Sequence, residues 1–221
     1  MVGPGTFVLP LQNGLEAPDQ LAAIFGRQQV LGGLCLLIIF LAGPGHIRHA
    51  GAEPFIKFGE LDNRRSERVD RLYRVFTHAG VKAEIPPDIQ VALWMKFLII
   101  VPWSGMGAVT RTPTGVWRSL PETRQLATTA LLEITTVAKA CQILLPEDAL
   151  QTTMSMFDMI PAQGTSSMQR DIAEGRPSEH DALIGAVVRM GQKGKVTTPL
   201  HSFIYDSLLP MEMRARGKIH W

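Results

Sequence analysis

Apolar and polar positions follow one rhythm up to Pro86-Pro87 and another after it. The first part is built of short apolar runs. Phe7 to Leu11 reads as a strand ending at the turn signal Gln12-Asn13-Gly14. Glu16 to Phe25 has helical spacing, with Leu21, Ile24 and Phe25 on one side, and stops at Gly26. Val30 to Ala42 is a continuous apolar run that reads as a buried strand. His46 to His49 and Phe55 to Phe58 are short extended pieces, expected as a hairpin through Gly51. Ser66 to Ala79 repeats as a helix, with Val69, Leu72, Val75 and Phe76 on its apolar side and Gly80 closing it. Val81 to Ile85 is a last strand.

After Pro87 the period is helical throughout. Asp88 is placed to cap a helix through IQVALWMKFLII, which Pro102 is expected to interrupt or kink. Ser119 and Glu122 fit a capping box for a helix reaching Cys141. Pro146-Glu147-Asp148 opens another helix, and Ser178 with Asp181 fits a second box. Thr198-Pro199 opens the last helix, with proline at its first position. The fold expected is an α/β remnant of a Rossmann-type domain over 1–87, followed by an all-α domain over 88–221.

Composition narrows the function classes. Hydrophobic residues are 46% of 221, enough for a sizeable core, and the net charge is only +2. That balance gives no strong field for nucleic acid or an acidic membrane surface. The apolar run at 30–42 is thirteen residues, short of the ~20 that a spanning helix needs, so no membrane span is expected there. The start of the chain has neither a basic stretch nor a small-residue cleavage site, so no signal peptide is expected. Cys35 and Cys141 both lie in apolar surroundings and read as buried free thiols of a reducing cytoplasm. No cluster of metal-ligand spacing stands out.

Lys96 is the most informative ionisable residue, since every neighbour in VALWMKFLIIV is apolar. An unpaired ammonium in a core costs several kcal/mol. Either its stem snorkels along apolar surface, or its amine faces a cleft between two domains and donates a proton there. Ser178 and Glu179 either dress a helix start or serve a site. Asn13-Gly14 is either a plain turn or a ligand contact at a strand's carboxyl end.

Five segments in order carry a resemblance. Leu9-Pro10-Leu11-Gln12-Asn13-Gly14, Gly43-Pro44-Gly45-His46-Ile47-Arg48-His49 and Leu93-Trp94-Met95-Lys96-Phe97 come first. Ser166-Ser167-Met168 through Asp171 with Gly175-Arg176-Pro177-Ser178-Glu179-His180-Asp181, and then Val196-Thr197-Thr198-Pro199, complete the set. Each is weak alone; together, from about Phe7 to Leu209, they resemble the ketopantoate reductase (2-dehydropantoate 2-reductase) family. The resemblance implies a 6-phosphogluconate dehydrogenase-like helical C-terminal domain. It implies an oxidoreductase that reduces a 2-keto acid such as ketopantoate with NADP, in pantothenate biosynthesis. A homodimer is expected on a separate ground, since the Phe7 strand or the 30–42 strand would leave an open apolar sheet edge.

The same resemblance implies residue roles. Lys96 matches the catalytic lysine that protonates the ketone oxygen, and Glu179 the glutamate that bonds the cofactor ribose. Asn13 matches an asparagine near nicotinamide and substrate, and Ser167 a substrate-binding serine. Family enzymes place asparagines four and eight residues after the lysine, where this chain has Ile100 and Ser104. Thr114 stands where some members carry a further substrate-binding asparagine. A Rossmann fingerprint needs G-x-G-x-x-G between a strand and a helix. The 221 residues contain none, and Gly3-Pro4-Gly5 has the wrong spacing. The expectation is an N-terminally truncated family member with impaired activity. A non-catalytic helical module, binding itself or a partner, is the alternative.

Overall fold

The computed structural model describes residues 3 and 5–221, giving only the backbone at 40 and 50–52. Pro4, within the Gly3-Pro4-Gly5 segment, lies outside the described residues. The chain divides into two compact units. One holds Glu16–Leu93 with the residues before Asn13; the other holds Asn13–Leu15 and Trp94–Trp221.

The first unit is a small sheet with helices. Helix α1 (Ala17–Phe25) is followed by strands β1 (Leu31–Gly43) and β2 (His46–Glu60), helix α2 (Glu67–His78) and the short strand β3 (Lys82–Glu84). The sheet order is β1-β2-β3, with β1 antiparallel to β2 and β3 parallel to it. The hairpin expected through Gly51 instead turns at Pro44-Gly45, where Gly45 takes φ 70°. Such a backbone suits glycine because a side chain there is strained. His46 to Glu60 is therefore one long strand, with an irregular register between Leu36 and Ile38. The strand expected at Phe7 to Leu11 reduces to one parallel bridge between Val8 and Val30.

The expected burial of residues 30–42 holds for only half of the strand. Leu31 and Leu34 are buried with Phe58, Ile56 and Val69. Beyond Cys35 the hairpin runs outward, and Leu36, Ile38, Ile39, Leu41 and Ile47 are exposed. Gly33 has a packing reason for its lack of side chain, because an added Cβ would stand 2.4 Å from Leu9. Helix α2 starts as expected, with the Ser66 hydroxyl accepting from Val69 N–H. Its packed face is Val69, Leu72 and Phe76, while Val75 is exposed.

The second unit is helical. It holds most of α3 (Ile89–Thr110), then α4 (Thr114–Ser119), α5 (Pro121–Ala140), α6 (Ala149–Met159) and α7 (Ser167–Ala173). A wide π turn over Asp181–Gly185 leads into α8 (Ala186–Gly194), and α9 (Pro199–Ala215) ends the order. Asp88 caps α3 as expected, accepting from Gln90 and Val91 N–H. Pro102 does not end α3. Proline removes one ladder hydrogen bond, and burial of Leu98 and Val101 on either side of that bond offsets the loss. By length and composition α3 could cross a membrane, yet most of it is buried within the protein.

Neither expected capping box forms. Ser119 ends α4 and donates to Val116 O, while α5 opens on Pro121 after Leu120. Ser178 donates instead to Glu212, 2.6 Å away. Cys35 and Cys141 are both free thiols, but Cys35 is half-buried, donating to Leu11 O, and Cys141 is exposed.

A buried ion pair holds the first unit together. Glu60 is 4% exposed and accepts from Arg68 Nε at 2.7 Å, from Arg68 Nη2 at 2.5 Å and from Ser66 Oγ at 2.5 Å. Burial alone would push its carboxyl up; the Arg68 and Ser66 donors hold it below the usual range. Arg68→Met strands that carboxylate, and the expected loss is about 3 kcal/mol in urea unfolding. Adding Glu60→Gln to the variant recovers part of the loss, since a neutral amide is cheaper to bury.

Candidate functional site

Asn13 and Glu179 come together although 166 positions separate them. Asn13 Nδ2 donates to Glu179 Oε2 at 2.9 Å, and both side chains are half-buried. Asn13 is held in a tight bend because Gly14 follows with φ 101°, where an added Cβ would lie 3.0 Å from Ala182 O. Glu179 stands just before the π turn. Ser178, beside it, gives both its N–H and its hydroxyl to the buried carboxylate of Glu212 on α9. Arg216 donates to the same carboxylate at 2.6 Å and to Ser178 O at 3.0 Å. The backbone under Glu179 is thus tied to the last helix of the chain.

His180 follows and is fully buried. Its Nε2 lies 3.0 Å from Tyr205 O, and its ring stacks on the Tyr205 ring at 4.4 Å. A carbonyl oxygen can only accept, so Nε2 carries the hydrogen and Nδ1 is bare. Nδ1 is buried with no partner among the described residues. Burial pushes the imidazole below its ordinary value of 6.5, while Tyr205 O, Glu212 and Asp181 act the other way. Asp181 accepts from Arg189 and from Tyr205 OH. Burial raises the Asp181 carboxyl, and those donors more than reverse it; the Tyr205 phenol is pushed up by burial and by Asp181.

The other expected site residues occupy varied positions. Lys96 is half-buried on α3, flanked by buried Trp94, Phe97 and Leu98. Ile100 and Ser104 lie one and two turns further along the same face; Ile100 is half-buried and Ser104 buried. Thr114 is fully buried, its hydroxyl accepting from Trp103 Nε1 and donating to Gly164 O, each at 2.8 Å. Those bonds pin the start of α4 to the loop before α7. Ser167 is the first residue of α7 and is exposed, while Ser166 caps that helix by accepting from Gln169 N–H. No group of three metal-ligating side chains occurs among the described residues.

Sequence reasoning passed over Glu212, Tyr205 and Arg189. Their signal lies in pairings 34, 24 and 8 positions apart, which no local motif records.

Comparison with known proteins agrees with this architecture. Residues 88–212 match the ketopantoate reductase PanE/ApbA C-terminal family, and residues 1–63 match the ketopantoate reductase PanE/ApbA family. The chain belongs to the ketopantoate reductase family. The uncharacterized oxidoreductase YkpB of Bacillus subtilis is 32% identical over 91% of this chain and 66% of its own length. A 2-dehydropantoate 2-reductase structure from Geobacter metallireducens is 27% identical, with TM-score 0.87 over 95% of this chain and 70% of that one. A D-mandelate dehydrogenase structure with NADH and anilino(oxo)acetate has TM-score 0.87 at 21% identity, covering 97% of this chain and 70% of that one. The last likeness speaks for the fold alone. The chain spans about two thirds of the length of the curated relatives it matches. These relatives do not favour the non-catalytic module.

The depressed His180 pKa has a consequence for stability. An unfolded imidazole takes a proton near 6.5, and the folded one takes it only at lower pH. The stability from keeping His180 neutral is therefore present above 6.5 and is lost as pH falls through the folded value. His180→Leu should flatten the decline of unfolding free energy below pH 6.5, read by urea titrations at several pH values.

Proposed function

We propose that this chain is the larger part of an NADP-dependent 2-keto acid reductase of the 2-dehydropantoate 2-reductase type. The observation that carries the reading is the Asn13–Glu179 bond, which unites two distant motifs on the unit that also bears Lys96. Glu179 keeps acceptor capacity beyond its bond to Asn13, since a carboxylate offers about four lone-pair sites. It therefore fits a ribose hydroxyl, with Asn13 oriented beside it for the nicotinamide end. The diphosphate end has no G-x-G-x-x-G turn within these 221 residues.

When bound, the reduced nicotinamide supplies a hydride to C2 of the keto acid. Lys96 holds the proton that goes to the keto oxygen, so the products are a 2-hydroxy acid, the oxidised cofactor and a neutral amine that later regains a proton. Ser167 binds the acid's carboxylate or hydroxyl. Ser104 contributes on the Lys96 face of α3, and Thr114 sets the adjoining α4 corner through Trp103. Reduction of ketopantoate to pantoate, a step of pantothenate biosynthesis, is the type reaction. Ile100 cannot hydrogen-bond, which favours a related 2-keto acid with a less polar tail. Free thiols at Cys35 and Cys141 are consistent with a reducing cytoplasm.

The test is Lys96→Ala in the full-length protein. Turnover should fall by a factor of ~100 or more, the usual worth of a general acid, with unfolding transitions unchanged. Unaltered turnover leaves Lys96 as a stem lying on apolar surface. Homodimerisation is part of the same proposal. It is supported by the exposed apolar hairpin at Ile38, Ile39, Leu41 and Ile47, since such edges seek partners. Light scattering should give twice the monomer mass; a monomer at high concentration counts against it.

A further inference from the structure

A π turn widens a helix by one residue, is rare, and is found frequently at functional sites. Here it spans Asp181–Gly185, directly after Glu179 and His180. Three side chains close around it. Arg189 Nη1 donates to Asp181 Oδ1 at 2.8 Å, and Nη2 to Asp181 O at 3.0 Å. Tyr205 OH donates to the same Oδ1 at 3.1 Å. The Tyr205 ring stacks on His180, and Tyr205 O takes the His180 Nε2 hydrogen. No side chain fits in the middle. A Cβ on Gly185 would stand 2.8 Å from Asp181 Oδ1, 2.8 Å from Tyr205 Cε2 and 2.9 Å from Arg189 Nη1.

The turn touches both halves of the Asn13–Glu179 pair. Glu179 O accepts from Leu183 N–H at 2.9 Å, so the glutamate's own peptide is bonded to the turn. On the other side, Ala182 O sits against Gly14, where even a Cβ would come within 3.0 Å. Moving the turn by a fraction of an ångström therefore moves Glu179 and the bend carrying Asn13 at once.

We propose that Asp181, Arg189 and Tyr205 are positioning residues: they clamp the π turn and thereby set the register of the Asn13–Glu179 pair. Calling the pair a cofactor contact rests on the reading above; the clamp itself does not. With the clamp closed, Glu179 Oε2 meets Asn13 Nδ2. Without it, the helix relaxes to the ordinary four-residue ladder and the carboxylate rotates away from Asn13.

The experiment follows the Asn13 side-chain amide of the 221-residue chain by 15N–1H correlation NMR, assigned by its loss in Asn13→Asp. Glu179→Ala marks where the peak lies when the bond is broken. Asp181→Asn should move the peak towards that position, and Tyr205→Phe, which removes only one hydroxyl, should move it part of the way. Methyl spectra report that the core is intact; if Asp181→Asn does not fold, Tyr205→Phe decides. A peak at its native position in a folded clamp variant overturns the proposal. In the full-length protein, Asp181→Asn should raise KM for NADPH about fivefold with kcat unchanged, the effect of roughly one weakened hydrogen bond. Absent turnover in the native protein would sink the reductase reading and leave the NMR result standing. An equal fall in kcat with KM unchanged would show that the clamp does not act through the cofactor contact.

Discussion

A carboxylate cannot leave water unless donors replace its hydration, and the helical unit is arranged around two that have done so. Both act on α9. Glu133, on α5, is buried and accepts from Leu200 N–H at 2.8 Å and His201 N–H at 3.1 Å, with His201 Nδ1 at 2.6 Å. It serves as the cap that Thr198 does not supply, since no side chain of the N-cap residue bonds the first turn. Burial pushes its carboxyl up, and the donors from His201 and the helix N-terminus bring it below the usual range. Near the other end of α9, Glu212 is buried and takes the N–H and hydroxyl of Ser178. Since Ser178 precedes Glu179, the position of the candidate site follows from where α9 lies.

The first unit solves the same problem with a different donor. Glu60 ends β2 and is met by Arg68 from α2 and by Ser66, the residue that also caps α2. One buried acid thus joins strand to helix in a unit whose apolar core is small, centred on Leu31, Ile56, Phe58 and Val69. The outer half of the hairpin gains nothing from that core. Its apolar side chains stay in water, and so this end of the sheet is where a second protein surface has most to offer.

Chemistry in the helical unit stands on rigid elements. Lys96 projects from a 22-residue helix whose neighbouring side chains are buried, and Thr114, Trp103 and Gly164 lock the following corner. A group held this way keeps its aim, which is what the proton-donor role proposed for Lys96 would require. His180 adds a buried ring within reach of two carboxylates, Glu212 and Asp181. Those charges favour protonation, and burial outweighs them, so the neutral form is favoured and Nδ1 is left without a partner among the described residues.

Periodicity and capping chemistry were enough to place most helices, the change of rhythm near Pro86-Pro87, and the cap at Asp88, because those depend on residues three or four apart. The ordered motifs likewise carried the family. Local pattern failed wherever a residue had two partners to choose from. Ser178 has a capping box three residues ahead and Glu212 34 positions away, and the buried carboxylate wins because its need for donors is the costlier one to leave unmet. The 30–42 run is apolar along its whole length, so nothing in it distinguishes the buried Leu31 from the exposed Leu41. Only the placing of α2 and the Phe58 core beside one half does that. Sequence by itself determined the elements and the family; the tertiary structure decided which polar groups meet. A hydrogen bond across 166 positions, such as Asn13 to Glu179, depends on the packing of helices between them and leaves no trace in any window of the chain.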